Sequence, residues 1–234
     1  MIPLRSDNLL ATFPVMNVLL IVTNVLVFLY ELSLSPRAGN HLVYEFGLIP
    51  ARFGMLIEPT RHAHPTLAAA VIPVLTSMFL HAGWLHLLGN MLFLWVFGGS
   101  VEDRMGHFAY LVFYLVCGLG AGAVHTAFNW GSTVPTIGAS GAISGVMGAY
   151  IILFPRSRIL TLVPLLILFF FWRIPAVLML GYWFVIQFVS GLNALGGADQ
   201  GGVAVWAHVG GFVLGALLVL ILGLRRPARA NYAS

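Results

Sequence analysis

Lysine is absent from this chain, acidic residues number seven, and cysteine occurs once, at Cys117. Charged residues make up only 8% of the 234 positions while 60% are hydrophobic, and the mean hydropathy is +0.97. That is too little polar surface to cover a water-soluble globule of this size, so the solvent for most of the chain is lipid. A single cysteine forms no intramolecular disulfide and leaves the redox compartment open. Cys117 lies in an apolar run and reads as a small core residue. All 11 basic residues are arginine, and they gather at the ends of apolar runs rather than in a patch interleaved with aromatics. The pI near 9.6 therefore reports membrane orientation and argues against a nucleic-acid partner.

What is present is a series of long apolar runs. The first, 15–34, carries Asn17 and Asn24 seven apart on one helical face, which predicts that this face looks into a bundle, because an amide facing lipid goes unpaired. Its length and the lack of a small-x-small pattern after it speak against a cleaved signal peptide. From Ser35 to about Pro73 the chain gathers charges, prolines and glycines among apolar residues, which predicts a long, partly embedded loop. His62 and His64 within it are a weak metal signal, outweighed by their reading as loop histidines. Further spans are predicted at 81–99, 108–128, 137–154, 175–192 and 203–224. Residues 159–172, apolar but interrupted by Pro164 and bracketed by Pro155 and Pro175, read as a buried or interfacial hydrophobic loop. Glu102-Asp103-Arg104 reads as a solvated turn.

The expected fold is thus an all-α integral membrane protein, a six-transmembrane-helix bundle in one domain over 1–234 with no separate soluble domain. Six spans put both termini on one side. Placing that side in the cytoplasm assigns eight arginines inward and three (Arg37, Arg52, Arg61) outward, as the positive-inside tendency asks.

In this topology spans two, four and six run in the same direction, and His86 and Asn90, Ser140, and His208 are each read as one to two turns below their helix starts. Glycines at 138, 141, 145 and 148 make a seam on span four, and Gly211 and Gly215 share the face of His208, so the two helices can pack closely. A lone serine or histidine is usually packing or hydrogen bonding; their common depth favours chemistry. Neutral imidazole is the base suited to take a serine proton near pH 7. An oxyanion formed by attack on a carbonyl needs donors, and the Ser140 N–H, the Asn90 amide and an N–H of His86 are candidates. No acid is placed as a third member: Asp7, Glu31, Glu45 and Glu58 are read as outside the spans, Glu102 and Asp103 at the opposite side and Asp199 in a loop. A Ser–His dyad is therefore expected. Ala142 occupies the last position of what would otherwise be a GxSxG elbow.

Taken together, His81-x4-His86-x3-Asn90, Gly138-Ala139-Ser140-Gly141 and Ala207-His208-Val209-Gly210-Gly211-x3-Gly215 resemble the rhomboid intramembrane serine proteases in order and spacing, over about Val15 to Gly223. The resemblance implies Ser140 as nucleophile, His208 as general base, His86 and Asn90 in the oxyanion hole and His81 in support of the same pocket. It implies that the first loop is membrane-embedded beside the active site and that 193–202 is a flexible cap. Two departures stand out: no Trp-Arg pair occurs in the first loop, and Ser144 stands where some bacterial members have a tyrosine that stacks on the catalytic histidine.

The expectation is an endopeptidase acting on transmembrane protein substrates, with membrane lipid as its surroundings and the site opening away from the cytoplasm, in a cell or inner membrane. The family suggests small residues at the cleaved bond and helix-weakening residues nearby. No metal or cofactor is implied, since His81 and His86, five apart, do not share a helical face. The rivals are a non-catalytic client-binding relative and, from another class, a small-solute transporter.

Overall fold

A computed structural model describes residues 1–57, 66–165, 168–195 and 204–224. The chain opens with a short strand, β1 (Ile2–Ser6), followed by α1 (Val15–Ser33). Three short helices come next, α2 (Pro36–Phe46), α3 (Ala51–Ile57) and α4 (Leu67–Thr76), and a 3-10 turn at Ser77–Phe79. The bundle continues with α5 (Trp84–Met105), α6 (His107–Phe128) and α7 (Ser140–Leu153). A hairpin, β2 (Arg158–Leu165) and β3 (Leu168–Pro175), leads into α8 (Ala176–Leu195), and α9 (Val205–Ile221) closes the described fold.

The molecule is mostly helical, and α1, α5, α6 and α8 are long and apolar enough to cross a membrane; α7 and α9 are shorter. The first helix meets its expectation: Asn17 and Asn24 are both buried. Asn17 accepts from the Tyr110 hydroxyl at 2.7 Å and donates to the Leu94 carbonyl at 3.1 Å.

Three expectations are corrected. The segment 35–73 is not one loop but contains α2, α3 and part of α4. Ser35 accepts from Ala38 N at the start of α2 and Thr66 accepts from Ala69 N at the start of α4, so each helix has the hydroxyl cap that satisfies its first free donors. Residues 58–65, with His62 and His64, lie outside the described residues.

The second correction concerns 159–172, which is neither loop nor span. It forms an antiparallel hairpin whose β2 also pairs with β1, giving a three-stranded sheet in the order β1-β2-β3, so the fold is not strictly all-α. Pro164 is tolerated in the middle strand because β1 reaches only Ile159 to Leu162. At Pro164, β2 is already an edge, where a missing N–H costs little.

The third is the Glu102-Asp103-Arg104 turn. Helix α5 runs on through it to Met105, and Gly98-Gly99 does not end the helix. A Cβ on Gly98 would collide with Asn17 and the Tyr110 hydroxyl, so glycine serves a close approach of α1 there. Glu102 is fully buried. Its carboxylate accepts the backbone N–H groups of Met16 at 2.9 Å and Asn17 at 2.7 Å, and Asp103 accepts from Ala11 N and Thr12 N. Glu102 thus caps the start of α1, whose own N-cap residue makes no side-chain hydrogen bond, while Asp103 holds the turn that leads into it, where a helix N-terminus favours negative charge.

The core is built where α6, α7 and α9 pack against one another. Here the glycine seam proves two-sided. Added Cβ atoms on Gly211 and Gly215 of α9 would fall on the carbonyls of Gly141 and Gly145 of α7, whereas those on Gly141 and Gly145 would meet Ala121 and Cys117 of α6. Gly211 and Gly215 therefore admit α7 to α9, Gly148 of α7 serves the same contact against the Phe212 carbonyl, and Gly141 and Gly145 admit α6.

Candidate active site

Ser140 is the first residue of α7, not a turn below its start. His208 lies one turn into α9, which the glycine contacts bring against α7. The outcome is a hydrogen bond of 2.8 Å between His208 Nε2 and Ser140 Oγ. On its other side, His208 Nδ1 meets the side-chain oxygen of Gln187 on α8 at 2.7 Å. An amide oxygen only accepts, so this contact keeps the proton on Nδ1 and leaves Nε2 free to accept the serine proton. Trp183, one turn before Gln187, lies against the same ring at a centroid distance of 5.8 Å.

Gln187 and Trp183 are the residues that sequence reasoning missed. The departure at Ser144 left the histidine without its expected ring partner; Ser144 instead donates to the Ser140 carbonyl at 2.7 Å, within its own helix. Their signal was a glutamine in an otherwise apolar run, four positions after a tryptophan, which is one helical face. It becomes legible only when α8 is known to lie beside α9.

The turn ahead of the serine is set by Gly138, with φ at +123°, a conformation that side-chain-bearing residues rarely adopt. Its N–H donates to the Ser77 carbonyl at 2.8 Å. A Cβ there would sit 2.6 Å from His86 Nε2 and 3.7 Å from Asn90 Nδ2, so Gly138 belongs to the site rather than to the helix seam. His86 Nδ1 accepts from Ala82 N at 3.4 Å, which leaves Nε2 as the protonated nitrogen facing the turn. Among the described residues, Asn90 Nδ2 is buried with no partner. Two donors thus point at the space beside Ser140, at the start of a helix whose first N–H groups are also free.

His81 precedes α5 rather than lying within it. It is buried and stacks edge-on against His86 at 5.0 Å, and among the described residues neither ring nitrogen makes a hydrogen bond of ordinary geometry. Its backbone N–H donates to Glu31 Oε2 at 3.1 Å. Glu31, read from sequence as outside the spans, is in the last turns of α1 and reaches the loop that carries His81.

A small cavity of about 30 Å³ opens at Ser140, lined among others by Val74, Met78, Gly118, Ala121 and Gly122. Its neighbours from the first connection are held without a Trp-Arg pair. Arg52 donates to the backbone carbonyls of Tyr44, Glu45 and Ala69, and Leu48 pairs with Thr136 through two backbone hydrogen bonds of 2.8 and 3.0 Å. Thr136 also contacts His125 Nε2 at 2.9 Å. The cap expected at 193–202 falls mostly outside the described residues, which resume at 204.

Known proteins bear on this geometry. The family model of the Rhomboid domain matches residues 68–225. Rhomboid-like protein 11, chloroplastic, of Arabidopsis thaliana is 33% identical over 156 residues, covering 63% of this chain and 51% of that protein. Rhomboid protease GluP of Bacillus subtilis is 32% identical over 176 residues, covering 68% of this chain and 33% of its own length. Rhomboid protein 1, mitochondrial, of Saccharomyces cerevisiae is 31% identical over 152 residues, 62% of this chain and 40% of that one. The chain spans about half the length, or less, of these relatives. With the family model reaching from the end of the first connection across α5 to α9, this chain is an integral membrane protein that belongs to the rhomboid family.

Proposed function

We propose that this protein is an intramembrane serine endopeptidase that cleaves transmembrane segments of other membrane proteins through a Ser140–His208 dyad. The single observation that carries the reading is the 2.8 Å bond from Ser140 to a His208 whose other nitrogen is held by Gln187. As the substrate carbonyl is attacked, His208 Nε2 takes the Ser140 proton and the new C–O bond forms. The oxyanion is received by the Ser140 N–H, Asn90 Nδ2 and His86 Nε2. His208 then returns the proton to the leaving amine, the C–N bond breaks, and water hydrolyses the acyl-enzyme by the same steps in reverse.

In this reading α1, α5, α6, α7, α8 and α9 are six spans, with both termini cytoplasmic and α2 to α4 embedded beside the site in the outer leaflet. Arg225, Arg226 and Arg229, part of the charge bias behind that orientation, lie outside the described residues. At 14 residues, α7 is roughly 21 Å long, short of a hydrocarbon core of about 30 Å. Its first residue, Ser140, then begins below the membrane surface, with room for water above it. The cavity at Ser140 is small, which suits a small residue at the cleaved bond. A substrate helix must unwind there, since its freed backbone groups need partners that lipid does not provide.

The test is covalent labelling of purified protein by a fluorophosphonate, together with cleavage of a transmembrane reporter. Wild type labels and cuts; Ser140→Ala and His208→Ala do neither, with kcat lower by about three orders of magnitude or more. Wild-type protein that binds reporters without labelling or cutting would make it a non-catalytic client-binding member instead.

A further inference from the structure

Outside the candidate site, the β2–β3 hairpin is the feature without a role. Leu168, Phe169, Phe170, Phe171 and Trp172 are consecutive and all exposed, Phe169 by 65% and Phe171 by 62%. Neither face of this edge strand is covered by the bundle until Ile174. The register fixes an order along the hairpin. Arg158 stands opposite Pro175, and Arg5, Leu160 and Arg173 lie abreast across the three strands. Toward the tip come Trp172, then the three phenylalanines, then Leu168. Among the described residues, Arg5, Arg158 and Arg173 form no ion pair with a carboxylate. The neighbouring acid, Asp7, is taken up by the Ser157 hydroxyl and the Arg158 backbone N–H.

We propose that this hairpin is a lipid anchor, lying in the interface of the leaflet on its side of the bundle, with its arginines on the phosphates of anionic phospholipids. The sequence of chemistry from base to tip, guanidinium, indole, phenyl, aliphatic, repeats that of a leaflet from phosphate through the ester zone to the acyl chains. Depth is limited by the backbone. Among the described residues β3 has no strand on its outer edge, so alternate N–H and C=O groups there need water or lipid esters and are too costly in hydrocarbon. Leu168, at the tip end of β3, lies five residues beyond Arg173, about 17 Å along the strand, against the roughly 5–10 Å that interfacial elements bury. The hairpin is therefore tilted, with its aromatic side chains inserted and its outer edge wet.

The experiment uses the full chain in lipid nanodiscs with an environment-sensitive fluorophore on Phe169→Cys, and separately on Phe171→Cys in case the first variant does not fold. Cys117 is buried in the core, which leaves the new thiol as the accessible one. The label is expected to be quenched by acyl-chain-brominated lipid and shielded from aqueous iodide. Energy transfer should show phosphatidylglycerol enriched over phosphatidylcholine around it. Arg158→Gln and Arg173→Gln should each lower that enrichment by up to about fivefold. Iodide quenching without bromolipid quenching overturns the anchor. Cross-linking between copies through the new cysteine assigns the surface to a second copy of the chain. A shielded label with no preference between the two lipids removes the headgroup assignment. None of these readouts needs turnover, so the anchor and the peptidase reading stand or fall separately.

Discussion

At the end of the bundle where β1, the start of α1 and the end of α5 meet, buried polar groups are paired several times over. Glu102 holds two backbone N–H groups and His107 Nδ1. The Tyr150 hydroxyl is met by Ser6, Asn8 and Ser157. At the opposite end, two ring nitrogens of His81 and the amide nitrogen of Asn90, all buried, make no hydrogen bond of ordinary geometry among the described residues. Both ends put polar atoms in a low-dielectric interior, where an unmet donor costs about 1–3 kcal/mol. One end spends its polar groups on tying elements together; the other keeps them available. A saturated network fixes a fold, and an unsaturated one beside a serine is what the proposed peptidase would need for its substrate. Four substitutions probe this contrast through turnover of a transmembrane reporter, from the largest effect to the smallest.

Gly211→Val should abolish turnover. The added side chain lands on the Gly141 carbonyl, so α9 must move away from α7 and carry His208 out of reach of Ser140. Labelling by a fluorophosphonate should vanish with it. Full activity would mean that the close approach of the two helices is dispensable.

Asn90→Ala should lower kcat by roughly 10²–10³ with little change in melting temperature, because the amide nitrogen has no partner in the resting protein to lose. A fall in stability as large as the fall in rate would make Asn90 another structural group and erase the contrast between the two ends. Gln187→Leu should be milder. Losing one neutral acceptor is worth about 1–1.5 kcal/mol, near tenfold in rate, and it should appear in kcat with KM unchanged. An unchanged kcat would mean that His208 finds its orientation from Trp183 alone.

How much of this was legible in the sequence follows the physics of each signal. The first and third spans came within a residue of the helices because long apolar runs with polar flanks specify little else. Ser140, His208, His86 and Asn90 were singled out because polar groups at matching depth in apolar helices are costly without a purpose. The hairpin was not seen, because Ile159 to Trp172 is apolar on both faces and shows neither the alternation nor the glycine or asparagine turn that marks a strand pair. Glu102 was misread for the opposite reason. A local charge cluster looks like a solvated turn until α1, some 85 residues earlier, is known to end its first turn against it. Gln187 fails in the same way, since its meaning depends on which helix lies beside α8.

The smallest effect on chemistry is expected from Glu102→Gln, and it tests the saturated end directly. Glutamine keeps the size of the side chain but replaces one of two acceptor oxygens with a donor. That donor would face the N–H groups of Met16 and Asn17 at the uncapped start of α1. One hydrogen bond to a charged group is lost and one buried N–H is left unmet, which together should lower stability by about 2–3 kcal/mol. The molecules that remain folded should turn over the reporter at the wild-type kcat, because the carboxylate lies at the far end of α5 from His86 and Asn90. Melting in detergent, read beside kcat normalised to the labelled fraction, separates the two. A reduced kcat at unchanged melting would place Glu102 among groups that act on the site, and the division between a fixed end and an available end would then be wrong.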